Sequence, residues 1–399
     1  WRRVSNFPSE IHSRLSHFLL TETISTSIQD GIARTEAVAM STLLEKLPPA
    51  RPAELHAAMI ARDIPGNRIL ATTTGRGQAA ITLAETRPDA QVSLWFHDQY
   101  QQQLLNNSGL EFPAGLDLYC EADVPVNTQG KQYNLAVLSV FKSGEAEFTR
   151  DVLQSAFQAL EIGGTLVVAI DNPRDKWLRS HLAATGEKVR VRADSSKKPL
   201  TVCYIVRKTK ALKKVRDFTC KIVFRDHQRL LTALTRPGVF AHRRIDPAAR
   251  HLLNAIDLAE GARVLELGCG SGCVSLGLAA RHPSIEVYAI DSSARAVSCL
   301  QQSASENDLP NITVTLEADG FVPDPGCYDL VTANPPYYSD FRIAEMFVNS
   351  AKAALAPGGT LLLITKQPTW YLEQLPQSWN DVAQELVKGY HIIEAVKRP

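Results

Sequence analysis

Apolar positions switch between two periods along most of the chain. Val264–Leu267 is a short apolar run ending in glycines, the mark of a buried parallel strand. Residues 272–281 follow with helical spacing. Ile285–Ile290 is the next strand, and Ser292 or Ser293 is placed to N-cap a helix running to about Ser305. Ile312–Leu316, Leu330–Ala333 and Thr360–Ile364 are further strands. Residues 340–356 read as a helix stopped by Pro357, Gly358 and Gly359. Upstream, Asp246-Pro247 makes a helix start, and Pro237-Gly238-Val239-Phe240 before it is a turn presenting an aromatic. Such alternation predicts an α/β fold: an open parallel sheet with helices on both faces.

The same pattern occurs twice. Stepping back 195 positions from Arg263-Val-Leu-Glu-Leu-Gly-Cys-Gly-Ser-Gly272 gives Arg68-Ile-Leu-Ala-Thr-Thr-Thr-Gly-Arg-Gly77. That step maps Tyr328 and Leu330 to Tyr133 and Leu135, and Gly358, Gly359 and Thr360 to Gly163, Gly164 and Thr165. One offset held over about a hundred residues predicts two tandem Rossmann-like copies of one fold. The expected boundaries are a first copy over 1–205, a basic linker over 206–234 and a second copy over 235–399. The linker rests on residues 207–216, where six of ten are basic, a run that resists burial. It serves either as a solvated connector or as a phosphate-facing strip.

Composition narrows the function. The chain has 399 residues, 45% of them hydrophobic and 21% charged, which suits a globular protein of two or three domains. A net charge of +1 excludes a uniformly basic nucleic-acid coat protein, so an anionic partner must meet a local patch. No apolar run reaches the roughly 20 residues needed to cross a bilayer and no signal peptide opens the chain, so a cytoplasmic protein without membrane contact is expected. The seven cysteines include no CxxC pair; they are expected to be reduced and mostly buried, and no metal site is expected.

Chemistry gathers in the second copy. Glu266-x-Gly268-x-Gly270-x-Gly272 follows a strand and opens a helix. Its glycines let the backbone turn sharply and approach a ligand, and the spacing suits a nucleoside such as S-adenosylmethionine better than a dinucleotide pyrophosphate. Asp291 ends the second strand, where a carboxylate accepts both ribose hydroxyls. Asp319 follows the third strand, and either accepts from an adenine amino group or simply shapes a turn before Gly320.

Asn334-Pro335-Pro336-Tyr337 follows the strand Leu330–Ala333. Two prolines remove two N–H donors and leave the Pro335 carbonyl projecting. With the Asn334 carboxamide oxygen, two acceptors converge as an NH₂ group requires. Tyr337 offers a stacking face worth roughly 1–3 kcal/mol. A nucleobase amine is a poor nucleophile because its lone pair is delocalised; accepting both N–H bonds localises that pair for in-line attack on a methyl group.

These motifs resemble the class I S-adenosylmethionine-dependent methyltransferases, in the branch whose Asn/Asp-Pro-Pro-aromatic motif methylates amino groups. A degenerate first copy, Pro-Gly-Val-Phe before the second, and the ending Tyr390-His-Ile-Ile-Glu-Ala-Val-Lys397 are similar to the RsmC/RlmG type of ribosomal RNA guanine-N2 methyltransferase. The resemblance implies that Glu266, Gly268, Gly270, Gly272, Asp291 and Asp319 form the S-adenosylmethionine site, with Phe240 in a segment closing over it. It implies a catalytic set of Asn334, Pro335 and Tyr337 and a partner that is ribosomal RNA or a ribosomal subunit particle. The family usually reads Asn-Pro-Pro-Phe-His where this chain has Tyr337 and Tyr338, which keeps adenine-N6 and glutamine-N5 chemistry open. A non-catalytic RNA-binding assembly factor is the contrasting class. In the first copy Thr73 stands at the place of Gly268, Phe96 at that of Asp291 and Ser139-Val-Phe-Lys142 at that of the proline motif, so this copy is expected to support the fold or bind RNA rather than catalyse.

Overall fold

The computed structural model describes residues 47–336 and 339–399. The first copy runs α1 (Pro52–Arg62), β1 (Arg68–Thr72), α2 (Gln78–Thr86), β2 (Gln91–Phe96), α3 (Gln99–Asn106), β3 (Leu116–Cys120), β4 (Tyr133–Val140), α4 (Ala146–Ala159), β5 (Leu160–Ile170), α5 (Trp177–Ala183), β6 (Val189–Ala193) and β7 (Val202–Arg207). A hairpin follows, β8 (Cys220–Asp226) and β9 (Arg229–Thr235). The second copy runs α6 (Pro247–Ala255), β10 (Arg263–Leu267), α7 (Cys273–Arg281), β11 (Glu286–Asp291), α8 (Ala294–Glu306), β12 (Ile312–Leu316), β13 (Tyr328–Ala333), α9 (Arg342–Ala354), β14 (Leu355–Thr365), α10 (Thr369–Gln374), β15 (Trp379–Val387) and β16 (Tyr390–Lys397).

Both copies build the same sheet. The strand orders are β3-β2-β1-β4-β5-β7-β6 and β12-β11-β10-β13-β14-β16-β15, with parallel pairing except around β7 and β16, the one reversed strand of each sheet. Registers repeat too: Arg68 pairs with Gln91 as Arg263 pairs with Glu286. The duplication read from the 195-residue offset is therefore a duplication of structure.

Parallel strands buried on both faces need apolar side chains pointing both ways. Along β10, Val264 joins the core beneath α6, α7 and α8, while Leu265 and Leu267 join the core beneath α9 and α10. Along β14, Leu362 and Ile364 face the first core and Leu361 and Leu363 the second. Glu266 shares the face of Val264, which carries its carboxylate under α7.

Two expectations change. The stretch 206–234 is not linker throughout: β7 ends at Arg207, and the β8–β9 hairpin packs on the second copy. Leu234 donates its N–H to Ser303 Oγ at 2.8 Å, Thr232 to Asn307 Oδ1 at 2.9 Å, and Arg281 pairs with Asp226 at 2.9 Å. The inward positions Ile222, Phe224, Leu231 and Ala233 recur every second residue, but the exposed Val223 and Leu230 blur that alternation and a basic run lies just upstream. Nor do Pro357, Gly358 and Gly359 follow a long helix; α9 stops at Ala354 and these residues lie inside β14. Gly358 takes φ +79°, and a Cβ on Gly359 would stand 2.9 Å from the Tyr328 carbonyl oxygen, so both glycines serve an irregular strand start.

The copies meet through a local two-fold. Asp98 bridges antiparallel to Ser293, its own repeat equivalent. Gln99 donates to the Ser292 carbonyl at 2.8 Å and Ala294 to that of His97 at 3.1 Å, and each bond maps onto the other by the 195-residue step. Beside this axis the first copy presents carboxylates. Asp151 on α4 meets buried Arg295 at 2.9 Å and Arg236 at 3.4 Å. Asp123 meets Arg236 at 2.7 Å, Glu147 meets Arg243 at 2.7 Å, and Glu145 accepts from Gly238 N at 3.1 Å. Burial pulls the Arg295 pKa down to about 10 and Asp151 opposes that pull. Arg295 also donates to the Pro237 carbonyl at 2.7 Å. Asp151→Asn keeps the shape of that contact and leaves the guanidinium buried without its counter-charge. Denaturant titration is expected to show a loss of about 3 kcal/mol, and an unchanged midpoint would show that the pair does not hold the copies together.

Candidate functional site

Four neighbouring strands of the second copy, in the order β12, β11, β10 and β13, bring their carboxyl ends to one edge of the sheet. The strand order reverses at β10, which opens a crevice outside its end, where ligands bind in open α/β sheets. Gly268, Gly270 and Gly272 follow β10, Asp291 ends β11, Asp319 follows β12 and Asn334 follows β13.

The glycine loop needs its glycines. Gly268, Gly270 and Gly272 take φ of +78°, +50° and +74°. A Cβ on Gly272 would stand 2.6 Å from Leu300 of α8. Gly268 and Gly270 instead face aromatic side chains: a Cβ on Gly268 would lie 3.4 Å from the Phe347 ring of α9, and one on Gly270 3.5 Å from the Phe240 Cβ and 3.7 Å from its ring. Phe240 itself is 65% exposed, so it borders the loop without being packed away. Phe347 is a residue that sequence reasoning missed; it lies within the helix read over 340–356, and nothing local points it at the loop.

Asp291 accepts from Gly270 N and from Ser293 N, each at 2.8 Å. A carboxylate has about four lone-pair sites, so two remain for a ligand diol. Burial raises its pKa, the two amide bonds oppose the rise, and Asp98 of the first copy adds to it. Glu266 is placed differently from a ligand contact. It is 5% exposed and accepts from the Ser275 N–H at 2.9 Å and from the Ser275 hydroxyl. It anchors the first turn of α7 beneath the loop. Asp319 is exposed and accepts from Phe321 N at 3.1 Å, an Asx turn, at the border of a shallow cleft of about 460 Å³ with Gly320, Arg342 and Met346. A larger hollow of about 640 Å³ lies at the opposite ends of the strands, beside Ile256, Asp329 and Thr360, and includes none of the candidate residues.

At the β13 end, Asn334 is half-buried and Pro335 buried. Tyr337 and Tyr338 lie outside the described residues. Asn334 Nδ2 donates to Asp246 Oδ2 at 2.8 Å. Asp246 sits at the N-cap of α6, as its sequence implies, but makes no cap bond with its side chain. A carboxylate only accepts hydrogen bonds, so the amide must turn its NH₂ to Asp246 and leave its oxygen for another donor. No local signal marked this pairing, because the two residues are 88 positions apart. Ser339, Asp340 and Phe341 take φ of +82°, +49° and +62°, a run that costs non-glycine residues about 1–3 kcal/mol each. The Phe341 ring stacks on Trp370 with centroids 5.4 Å apart and planes 9° from parallel.

The first copy closes the same crevice with its own side chains. Gly75 N and Gly77 N both donate to Thr73 Oγ1 at 2.9 Å, and Thr73 donates to buried Glu54 at 2.7 Å. Thr74 Oγ1 and Ser139 Oγ lie 3.1 Å apart, bridging β1 to the end of β4. Phe96 is 3% exposed where Asp291 stands in the second copy.

Residues 230–394 match the methyltransferase small domain family. Among curated relatives, the ribosomal RNA small subunit methyltransferase C of Chromohalobacter salexigens is 31% identical over 179 residues, 42% of this chain and 52% of that protein. The protein of that name from Alcanivorax borkumensis is 32% identical over 157 residues, 38% of this chain and 47% of that protein. The chain spans about half the length of the curated relatives it matches. A solved structure of the Thermus thermophilus 16S rRNA N2 G1207 methyltransferase RsmC, in complex with AdoMet and guanosine, superposes with a TM-score of 0.69 at 23% identity, covering 87% of this chain and 92% of that one. This likeness extends over both copies and establishes the two-domain methyltransferase fold. Among the described residues no cluster of His, Cys, Asp and Glu fits a metal ion, and no helix is long and apolar enough to cross a membrane.

Burial pushes the Glu266 pKa up to about 8, against an ordinary value of 4.5, with the Ser275 bonds opposing. Between those values the folded state binds the proton more tightly than the unfolded chain, so stability falls as pH rises through that window. Glu266→Gln keeps an acceptor for Ser275 and removes the titration. Its melting temperature is expected to gain on the wild type between pH 5 and pH 8, and an equal difference at both would contradict a buried, protonated Glu266.

Proposed function

We propose that the chain is an S-adenosylmethionine-dependent methyltransferase acting on the exocyclic N2 amine of a guanine in small-subunit ribosomal RNA. In this reading the second copy is the catalytic domain and the first supports it. The observation that carries the proposal is the Asn334–Asp246 hydrogen bond at 2.8 Å, because it aims an amide oxygen where an amine must be held. The relatives named for small-subunit rRNA and the neighbour that holds guanosine support guanine as the base.

The residues present suit the cofactor. The loop at Gly268 and Gly270 is bordered by the Phe347 ring and by Phe240, and Asp291 has lone pairs left for a ribose diol. When bound, S-adenosylmethionine supplies an electrophilic methyl group on a sulfonium. Asp291 holds the ribose, Phe240 covers the loop, and Glu266 keeps the loop in shape from below. Asp319, with an Asx turn occupying one oxygen, borders the adenine side.

Asn334 Oδ1 and the Pro335 carbonyl accept the two N–H bonds of the guanine amine. Those bonds draw the nitrogen away from conjugation and localise its lone pair. Tyr337 stacks on the base, and the base leaves its own stack to enter the crevice. Acceleration comes from placement and fixed dipoles, so no strong base is required. Asp246 acts through Asn334 as a positioning residue, and its negative charge polarises the amide oxygen further. With labelled methyl donor and unmethylated small-subunit rRNA, Asn334→Ala is expected to lower the transfer rate on the order of 10²–10³. Asp246→Ala is expected to lower kcat by about tenfold through the same contact, with cofactor affinity by calorimetry unchanged in both. Wild-type rates in either variant would remove the pair from the mechanism.

A further inference from the structure

The charge of the chain is concentrated in one place. Residues 188–216 contain eleven basic residues and one acidic residue, although the whole chain carries a net charge of only +1. Ten of the eleven are exposed; Lys208 is buried and donates to the carbonyls of Gln158 and Leu160. Among the described residues only Arg216 of this group forms a side-chain ion pair, with Glu147 at 3.4 Å, while Lys210 sits beside Glu187, which accepts from its backbone N–H at 3.2 Å. The single acid, Asp194, is occupied with the backbone of Ser196 and Leu200, which shapes the turn presenting Lys197 and Lys198.

The register aligns these charges. Arg190 pairs with Ile205 and Arg192 with Cys203, so Arg190, Arg192 and Arg207 share one face of the sheet. Lys188 continues that face by alternation. Side chains on one face of a strand recur about every 7 Å, close to the spacing of successive phosphates along an extended nucleic-acid strand. Charge on an edge strand also blocks strand addition, but either sign would serve that end, and the single sign here continues well past the strand. Beyond β7 the strap brings Lys210, Lys213 and Lys214 and ends at Arg216. The Glu147 carboxylate that meets Arg216 also takes both Arg243 bonds, at 2.7 and 3.0 Å. Arg243 is three residues from Phe240, so the basic segment leads from the outer edge of the first copy to the lip of the glycine loop in the second.

We propose that the β6 edge and the 207–216 strap form one track for the RNA backbone, which leads substrate RNA from the first copy to the crevice of the second. The track rests on the reading of the substrate as RNA. RNA fits better than a lipid surface, because the segment is extended and has no amphipathic helix to lay on a bilayer.

The test measures anisotropy of a fluorescein-labelled 40-nucleotide rRNA fragment with the full chain across a salt series. The logarithm of affinity is expected to fall linearly with the logarithm of salt, by about 0.7–0.9 per phosphate neutralised. The triple variants K188Q/R190Q/R192Q and K210Q/K213Q/K214Q are each expected to lower that slope by about 2 and to weaken binding about tenfold or more at 0.1 M salt, while calorimetry gives wild-type affinity for S-adenosylmethionine. Wild-type RNA affinity in both triples, or wild-type protein that prefers phosphatidylserine vesicles to RNA, overturns the track. The expected RNA binding without transfer to any guanine leaves the track standing and removes the assigned reaction instead.

Discussion

The hydrogen bond between Asn334 and Asp246 is the constraint on which the account of the site depends. An amide has two faces of opposite character, and only one of them holds an amine. Asp246 selects that face by being unable to donate. The selection requires the start of α6 to lie beside the end of β13, which the sheet order provides. Beyond the motif the Phe341 ring is packed against Trp370, and Ser339 to Phe341 take left-handed backbone angles.

Comparison of the two copies separates what maintains the fold from what maintains the site. Strand order, register and the left-handed glycine before the second helix persist in both; Gly77 has φ +76° and Gly272 +74°. What differs is the crevice. Thr73 takes up the loop amides of the first copy, Thr74 and Ser139 bridge it, and Phe96 fills the place of a carboxylate. Arg51 stands at the repeat position of Asp246 and lies over the Phe141 ring at 4.2 Å, so the aiming pair was lost as a unit. Yet the first copy still bears on the second. Its carboxylates hold the turn that carries Phe240, and its Asp98 lies against the residues that follow Asp291.

Much of this was legible in the residues. Ile312–Leu316 is a strand with the bounds that its apolar run suggests, and Ser293 caps α8 as expected, accepting from Ala296 N at 3.3 Å. Local signals failed where tertiary contacts decided the outcome. Glycines 358 and 359 look like a helix stop, yet they start a strand because the chain passes close to the Tyr328 carbonyl. The β8–β9 hairpin was hidden behind a basic run. Glu266 heads a ligand loop in sequence but points beneath it, since strand alternation puts it on the α7 face. The role of Asp246 was invisible because an aspartate before a proline already has a sufficient local explanation as a helix start.

The most direct test of the account identifies the product. Small-subunit rRNA transcribed in vitro, both naked and assembled into particles, is incubated with the chain and methyl-labelled S-adenosylmethionine, digested to nucleosides and resolved by mass spectrometry. Label is expected in N2-methylguanosine. Label in N6-methyladenosine, or none in either RNA form, would contradict it.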